Sequence, residues 1–234
     1  MGNARLYEGL AARLGVPVED LAAGTGSVAL IYHLLQAFCD PGEEVVHAWR
    51  SFEAYPIAIA SVGAVSVPVP LDEHWRHDLE AMLAAITERT RVVLLCTPNN
   101  PTGPALSQAE VDAFLDRVPS HVVVVIDEAY IDFGGDSAVT LIDRYPNLLV
   151  VQTLSKSRSL AGLRVGLALG HPQLIEALER VKPERERMES QMPPLKPLFV
   201  AAESWLALRT NPSTGDATKA SAPKPTPAGT QLRL

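Results

Sequence analysis

The sequence predicts a three-layer α/β fold built on an open, mostly parallel sheet, and three observations predict it. Short apolar runs recur at 92–96, 122–126, 148–151 and 165–169, as in strands covered on both faces. Between the strands lie segments whose apolar residues are three or four apart, the period of helices packed on a sheet. The polar signatures come after the strands rather than before them. They therefore collect at the carboxyl edge, where open α/β sheets bind ligands.

The elements follow in order. Leu6, Leu10 and Leu14 at intervals of four predict a helix over 4–14, which Val16-Pro17 ends. Residues 18–23 lead into Gly24-Thr25-Gly26-Ser27, with Ser27 expected to cap a helix over 28–38. A Gly-rich turn feeding a helix is an anion site by geometry, since unpaired N–H groups point outward there. It lacks the glycine spacing of a dinucleotide fingerprint and the ending of a P-loop. Asp40-Pro41-Gly42 is a turn before a strand at 44–48. Trp49-Arg50-Ser51-Phe52 leads into a helix over 53–61, Gly63 breaks it, and 64–69 forms a strand. A helix over 77–86 is expected to bury Leu79, Met82, Leu83 and Ile86. The strand at 92–96 ends in the densest turn signal of the chain, Pro98-Asn99-Asn100-Pro101-Thr102-Gly103. Ser107 caps a helix over 108–117, with Glu110 at the capping-box position. Five consecutive branched residues at 122–126 read as a central parallel strand ending in Asp127-Glu128-Ala129-Tyr130. Strands at 148–151 and 165–169 and a helix over 174–181 complete the pattern.

Length and composition bound the rest. With 234 residues, 47% hydrophobic and 20% charged, the chain can bury one core, and a main domain over 1–182 is expected. Residues 183–210, opening in KPERERMES, read as a divergent helical segment, and the Pro-rich 211–234 as a disordered tail. A net charge of −7 with no basic stripe argues against a nucleic-acid surface. No apolar run reaches membrane-spanning length and no leader pattern follows Met1, so a cytoplasmic location is expected. Cys39 and Cys96, the two cysteines, lie far apart in apolar runs without zinc spacing. They read as buried thiols, and no metal site is expected.

The chemistry centres on Lys156 and Arg164, eight residues apart around Ala161-Gly162. Ser155, Lys156 and Arg164 together suit a phosphate. Alternatively Lys156 forms a Schiff base with an aldehyde and leaves the phosphate to Ser155 and Arg164. A carboxylate at the end of a buried strand, Asp127, needs a cationic or hydrogen-bonding partner. A protonated pyridine nitrogen is such a partner, and Asp127 would keep it charged. Tyr130, expected one helical turn beyond, and Asn100 reach a ring hydroxyl, while Phe52 can stack on the ring. Gly26 and Ser27 complete the phosphate contacts. Every polar group of pyridoxal 5'-phosphate thus has a candidate partner.

The joint pattern resembles the fold-type I aminotransferases, in particular the histidinol-phosphate and aromatic amino acid aminotransferases. CTPNNPTG (96–103), VIDEAYIDF (125–133), TLSKSRSLAGLRVG (153–166), GTGSVAL (24–30) and AWRSFEAYP (48–56) are similar to that group's asparagine turn, aspartate–tyrosine strand, lysine loop, phosphate helix and ring-stacking loop. The resemblance implies the large domain of a transferase dependent on pyridoxal phosphate. Lys156 is then the Schiff-base lysine and the base for a 1,3-proton shift. Asp127 pairs with the pyridine nitrogen, Asn100 and Tyr130 with the ring hydroxyl, and Phe52 stacks. Gly26, Ser27, Ser155 and Arg164 take the phosphate. It implies transfer of an amino group from histidinol phosphate or an aromatic amino acid to 2-oxoglutarate, in histidine or aromatic amino acid metabolism, by a homodimer. The alternatives are an inactive fragment of such an enzyme, or decarboxylation or elimination on the same scaffold.

The resemblance covers neither the family's N-terminal arm nor its C-terminal small domain with the arginine for the substrate carboxylate, and both are expected to be missing. The expectation is a chain truncated at both ends with the small domain largely missing. Weak cofactor binding, slow transamination and exposed apolar surface would follow.

Overall fold

The computed structural model describes residues 2–182, with side chains from Tyr7 onward. The segments expected to be divergent (183–210) and disordered (211–234) lie outside the described residues. Seven strands form one sheet: β1 (Leu21–Gly24), β2 (Glu44–Trp49), β3 (Val65–Pro70), β4 (Thr90–Cys96), β5 (Val123–Asp127), β6 (Leu148–Thr153) and β7 (Gly166–Gly170). Six helices accompany them: α1 (Gly2–Leu14), α2 (Ser27–Phe38), α3 (Ala54–Ser61), α4 (Leu79–Ala84), α5 (Gln108–Leu115) and α6 (Pro172–Val181).

The strand order is β1-β7-β6-β5-β4-β2-β3. Neighbours from β6 through β3 are parallel, while β7 runs antiparallel to both β6 and β1. The mostly parallel α/β sheet is as the sequence predicts. The reversal of β7 places its first residues at the same edge as the last residues of β6, since Gly166 pairs with both Gly24 and Thr153. All seven strands therefore contribute to one edge.

Alternation along the strands assigns the two faces. Val93 and Leu95 of β4, Val124 and Ile126 of β5, and Leu148 and Val150 of β6 pack with Leu10, Met82, Val111, Phe114 and Leu115. Val92, Leu94, Val123, Val125, Leu149 and Val151 face the other layer, with Leu30, Leu34, Tyr55, Ile59, Ile175 and Leu178. The period of two is what a sheet covered on both faces requires. Helix α5 carries the expected capping box, Ser107 with Glu110. A cap contributes about 1 kcal/mol, against about 1.5–3 kcal/mol for each buried Phe114 or Leu115 side chain, so packing is the larger share of what holds α5.

Three expectations are corrected. Ser27 is the first residue of α2, not its cap; Gly26 occupies the cap at φ 100. Serine would be strained at that backbone angle, and glycine adopts it freely. Helix α4 begins only at Leu79, because the Asp78 side chain accepts from the Ala81 N–H and caps it. Tyr130 sits in a turn leading to a 3-10 segment, Ile131–Phe133, rather than a helical turn beyond Asp127. Both cysteines are buried free thiols, as expected.

Candidate functional site

At the carboxyl edge, two glycines shape an anion cup. A Cβ on Gly166 would lie 2.3 Å from the Gly26 carbonyl carbon and 2.4 Å from the Ser27 nitrogen. Glycine at 166 is what lets the turn into α2 rest directly on β7. A Cβ on Gly26 would lie 2.7 Å from Arg164 Nη2, so the guanidinium lies against bare backbone. Arg164 adopts a left-handed conformation (φ 52, ψ 47), and its Nη1 donates to Ser155 Oγ (3.3 Å) and to the Ala161 carbonyl (3.3 Å). Gly26, Ser27, Ser155 and Arg164 are thus brought together as the sequence predicts. Outward N–H groups at the start of α2, a hydroxyl and a guanidinium are the donor set of a phosphate site.

Beside the cup, β5 ends in Asp127, 4% exposed. Its Oδ2 accepts from Tyr55 Oη (2.9 Å) and its Oδ1 from the Ala129 N–H (3.1 Å). Burial pushes its carboxyl up to about 6, opposed by the Tyr55 and Ala129 hydrogen bonds and by the charge of Lys156. Among the described residues no ion pair reaches this carboxylate. Lys156 is exposed at the mouth of the site, with Nζ 5.6 Å from the centroid of the Tyr130 ring. Phe52 meets Tyr55 edge-on (centroids 5.6 Å), and together with Asn100 it lines a cavity of about 160 Å³ that also includes Arg50, Ser51, Glu53 and Pro101. The site forms one row: cup, lysine and tyrosine, buried aspartate, aromatic wall.

The sequence reading missed three participants. Tyr55, fully buried on α3, is the hydroxyl that holds Asp127. The signal was available, because Asp127 shares the parity of Val123 and Val125 and so faces the layer containing α3, and a buried tyrosine needs an acceptor. Glu128, also buried, points to the opposite side. It accepts from Gln152 Nε2 (2.8 Å), Ser137 Oγ (2.8 Å) and the Ala138 N–H (2.7 Å). It fastens the loop after Tyr130 to β6 beside the lysine loop. Burial raises its pKa, with those three donors acting against the shift. Asn99, adjacent to the predicted Asn100, is the third.

The carboxyl edge of this open α/β sheet thus gathers an anion cup, an exposed lysine and a buried carboxylate that, among the described residues, has hydrogen-bond donors but no ion-pair partner. The chain belongs to the class I and II aminotransferases, whose family model matches residues 2–185. An aromatic amino acid aminotransferase of Rhodococcus opacus is 50% identical over 182 residues, covering 77% of this chain and 51% of that protein. One from Rhodococcus erythropolis is 53% identical over 178 residues, or 75% and 50%. The solved histidinol-phosphate aminotransferase of Sinorhizobium meliloti, in complex with pyridoxal-5'-phosphate, superposes with a TM-score of 0.73 at 29% identity, covering 77% of this chain and 50% of that one. The chain spans about half the length of the curated relatives it matches.

Proposed function

We propose that this chain carries the cofactor half of a pyridoxal-phosphate-dependent aminotransferase acting on aromatic amino acids with a 2-oxo acid as acceptor. The observation that carries the reading is Asp127, a buried carboxylate raised to about 6 that a protonated ring nitrogen would pair. The residues fit the group. The Gly26 position leaves the space a Cβ would fill beside Arg164, which suits a phosphate. Bound there, pyridoxal phosphate supplies an electron sink for the bond broken at the substrate's Cα.

The chain's own residues do the rest. Asp127, held by Tyr55, keeps a ring nitrogen protonated. Asn100 and Tyr130 donate to a ring oxygen, and Phe52 covers a ring face. Gly26, Ser27, Ser155 and Arg164 bind the phosphate. Lys156 would hold the group through its aldehyde and, once the substrate's amine displaces it, its freed amine would take up and return the proton at the substrate's Cα. The names of the relatives at about half identity favour an aromatic substrate over histidinol phosphate. A homodimer is the assembly we expect.

The test is the absorbance of purified protein with pyridoxal phosphate, beside Lys156→Ala. A visible band that survives desalting, is lost in the variant and responds to phenylalanine supports the reading. Glutamate formed from 2-oxoglutarate with phenylalanine, and not with histidinol phosphate, supports the substrate class. Free-aldehyde spectra in both proteins would remove the enzymatic reading for this chain. Carbon dioxide or ammonia as product would replace transamination by decarboxylation or elimination.

A further inference from the structure

Asn99 precedes the turn asparagine assigned to the ring, and it is 3% exposed. Its Oδ1 accepts from Ser51 Oγ (2.8 Å) and faces His77 Nε2 (3.2 Å). Its Nδ2 donates to the Arg50 carbonyl (3.1 Å) and to Thr102 Oγ1 (2.7 Å). Thr102 in turn donates to the Trp75 carbonyl (2.9 Å). The amide orientation follows from the partners, since a backbone carbonyl accepts only and must face Nδ2. Because Oδ1 also only accepts, His77 carries its proton on Nε2. Its Nδ1 is buried with no hydrogen-bond partner among the described residues. Four polar contacts use the full capacity of one amide.

These contacts join three segments distant in sequence: the ring-stacking loop at 50–52, the loop at 75–77 and the asparagine turn. The cavity is lined by the first and the third, Phe52 and Asn100 among its lining residues. Residues 51 and 52, and residues 99 and 100, are adjacent. A side chain that locks Ser51 to Asn99 therefore fixes the separation of Phe52 from Asn100.

We propose that Asn99 is a positioning residue that sets the spacing of Phe52 and Asn100 across the cavity, and so the gap into which a planar aromatic ring fits. The spacing is a property of the protein alone; its use by a cofactor rests on the function proposed above.

The experiment has two arms. In cofactor-free protein, hydrogen exchange is followed by mass spectrometry for wild type, Asn99→Ala and the milder Ser51→Ala. Asn99→Ala is expected to speed exchange about tenfold or more in both 50–54 and 98–103, leaving β5 and β6 protected. Ser51→Ala, which removes one contact, is expected to give a smaller rise in the same two segments. Exchange that rises in only one segment, or equally throughout the chain, overturns the proposal whether or not the protein binds pyridoxal phosphate. In the second arm, the pH midpoint of the bound cofactor's visible band is measured. Asn99→Ala is expected to move it by about half a unit or more, with no further shift when added to Asn100→Ala. Additive shifts overturn the proposal, since a general loss of stability would not cancel in this way. A wild type that takes no cofactor but shows the coupled exchange removes the functional reading and keeps the positioning role.

Discussion

Replacing Asp127 by Asn should make the cofactor-free chain more stable at neutral pH while impairing its cofactor site. The asparagine keeps the shape. Its Oδ1 can still accept from the Ala129 N–H, and its Nδ2 can donate to Tyr55 Oη, a hydroxyl that both donates and accepts. What changes is the ionisation. The Asp127 carboxyl moves from its ordinary 3.8 to about 6 on folding. An acid whose folded pKa is raised contributes its full stability below the unfolded value and loses it as pH rises through the folded one. About two units at about 1.4 kcal/mol per unit give roughly 3 kcal/mol lost between about pH 4 and pH 7. Other carboxylates act in the opposite sense, Glu44 and Glu110 among them, both held below the ordinary range. Subtracting the two proteins cancels these. Urea denaturation of wild type and Asp127→Asn, dialysed free of cofactor, should therefore give a stability difference near zero at pH 4 that grows to about 3 kcal/mol in favour of the variant by pH 7. A difference independent of pH would refute the reasoning, and so would a variant less stable at pH 7. With pyridoxal phosphate added the order should narrow or reverse, as a cationic ring nitrogen pairs only with the charged residue.

Tyr55→Phe removes a hydrogen bond to a buried carboxylate, about 1.5–3 kcal/mol, and should raise the Asp127 pKa by about one to two units; the pH at which the stability of the cofactor-free chain falls should move up with it. Gly26→Ala places a methyl against Arg164 at an unfavourable φ, and should weaken pyridoxal phosphate binding about tenfold or more while costing about 1–3 kcal/mol of stability, read by fluorescence titration and thermal melts. Gly166→Ala meets backbone rather than a movable side chain, so it should be the more damaging of the two, with loss of the cooperative melt as the expected result. Ser107→Ala removes only the cap of α5 and should cost about 1 kcal/mol with cofactor binding unchanged.

How much of this was legible in the sequence varies with the range of the interaction. The strands at 92–96 and 122–126 announce themselves because a parallel strand buried on both faces leaves an unbroken apolar run. The candidate site residues could be picked out as well, because all but Arg164, which precedes β7, come at the end of a strand or after it and the topology sends those ends to one edge. What stayed hidden depends on contacts across the fold. Ser27 looks like a cap in isolation, and only the approach of Gly166 explains why Gly26 has that place. Tyr55 reads as a helix residue until the register turns Asp127 toward α3. Asn99 and Asn100 are indistinguishable as letters in PNNP; what sets Asn99 apart is its contact with Ser51 and His77, 48 and 22 residues upstream.

The reversed strand β7 has a further consequence. Lys156 and Arg164 leave and re-enter the sheet on one antiparallel pair, whose register runs from Leu149↔Gly170 to Thr153↔Gly166. The residue proposed for the aldehyde and the residue proposed for the phosphate are thus the two ends of a single handle. Their spacing is set by the ladder beneath it rather than by the path of the loop above. A protease cut within 157–160 would leave both ends anchored.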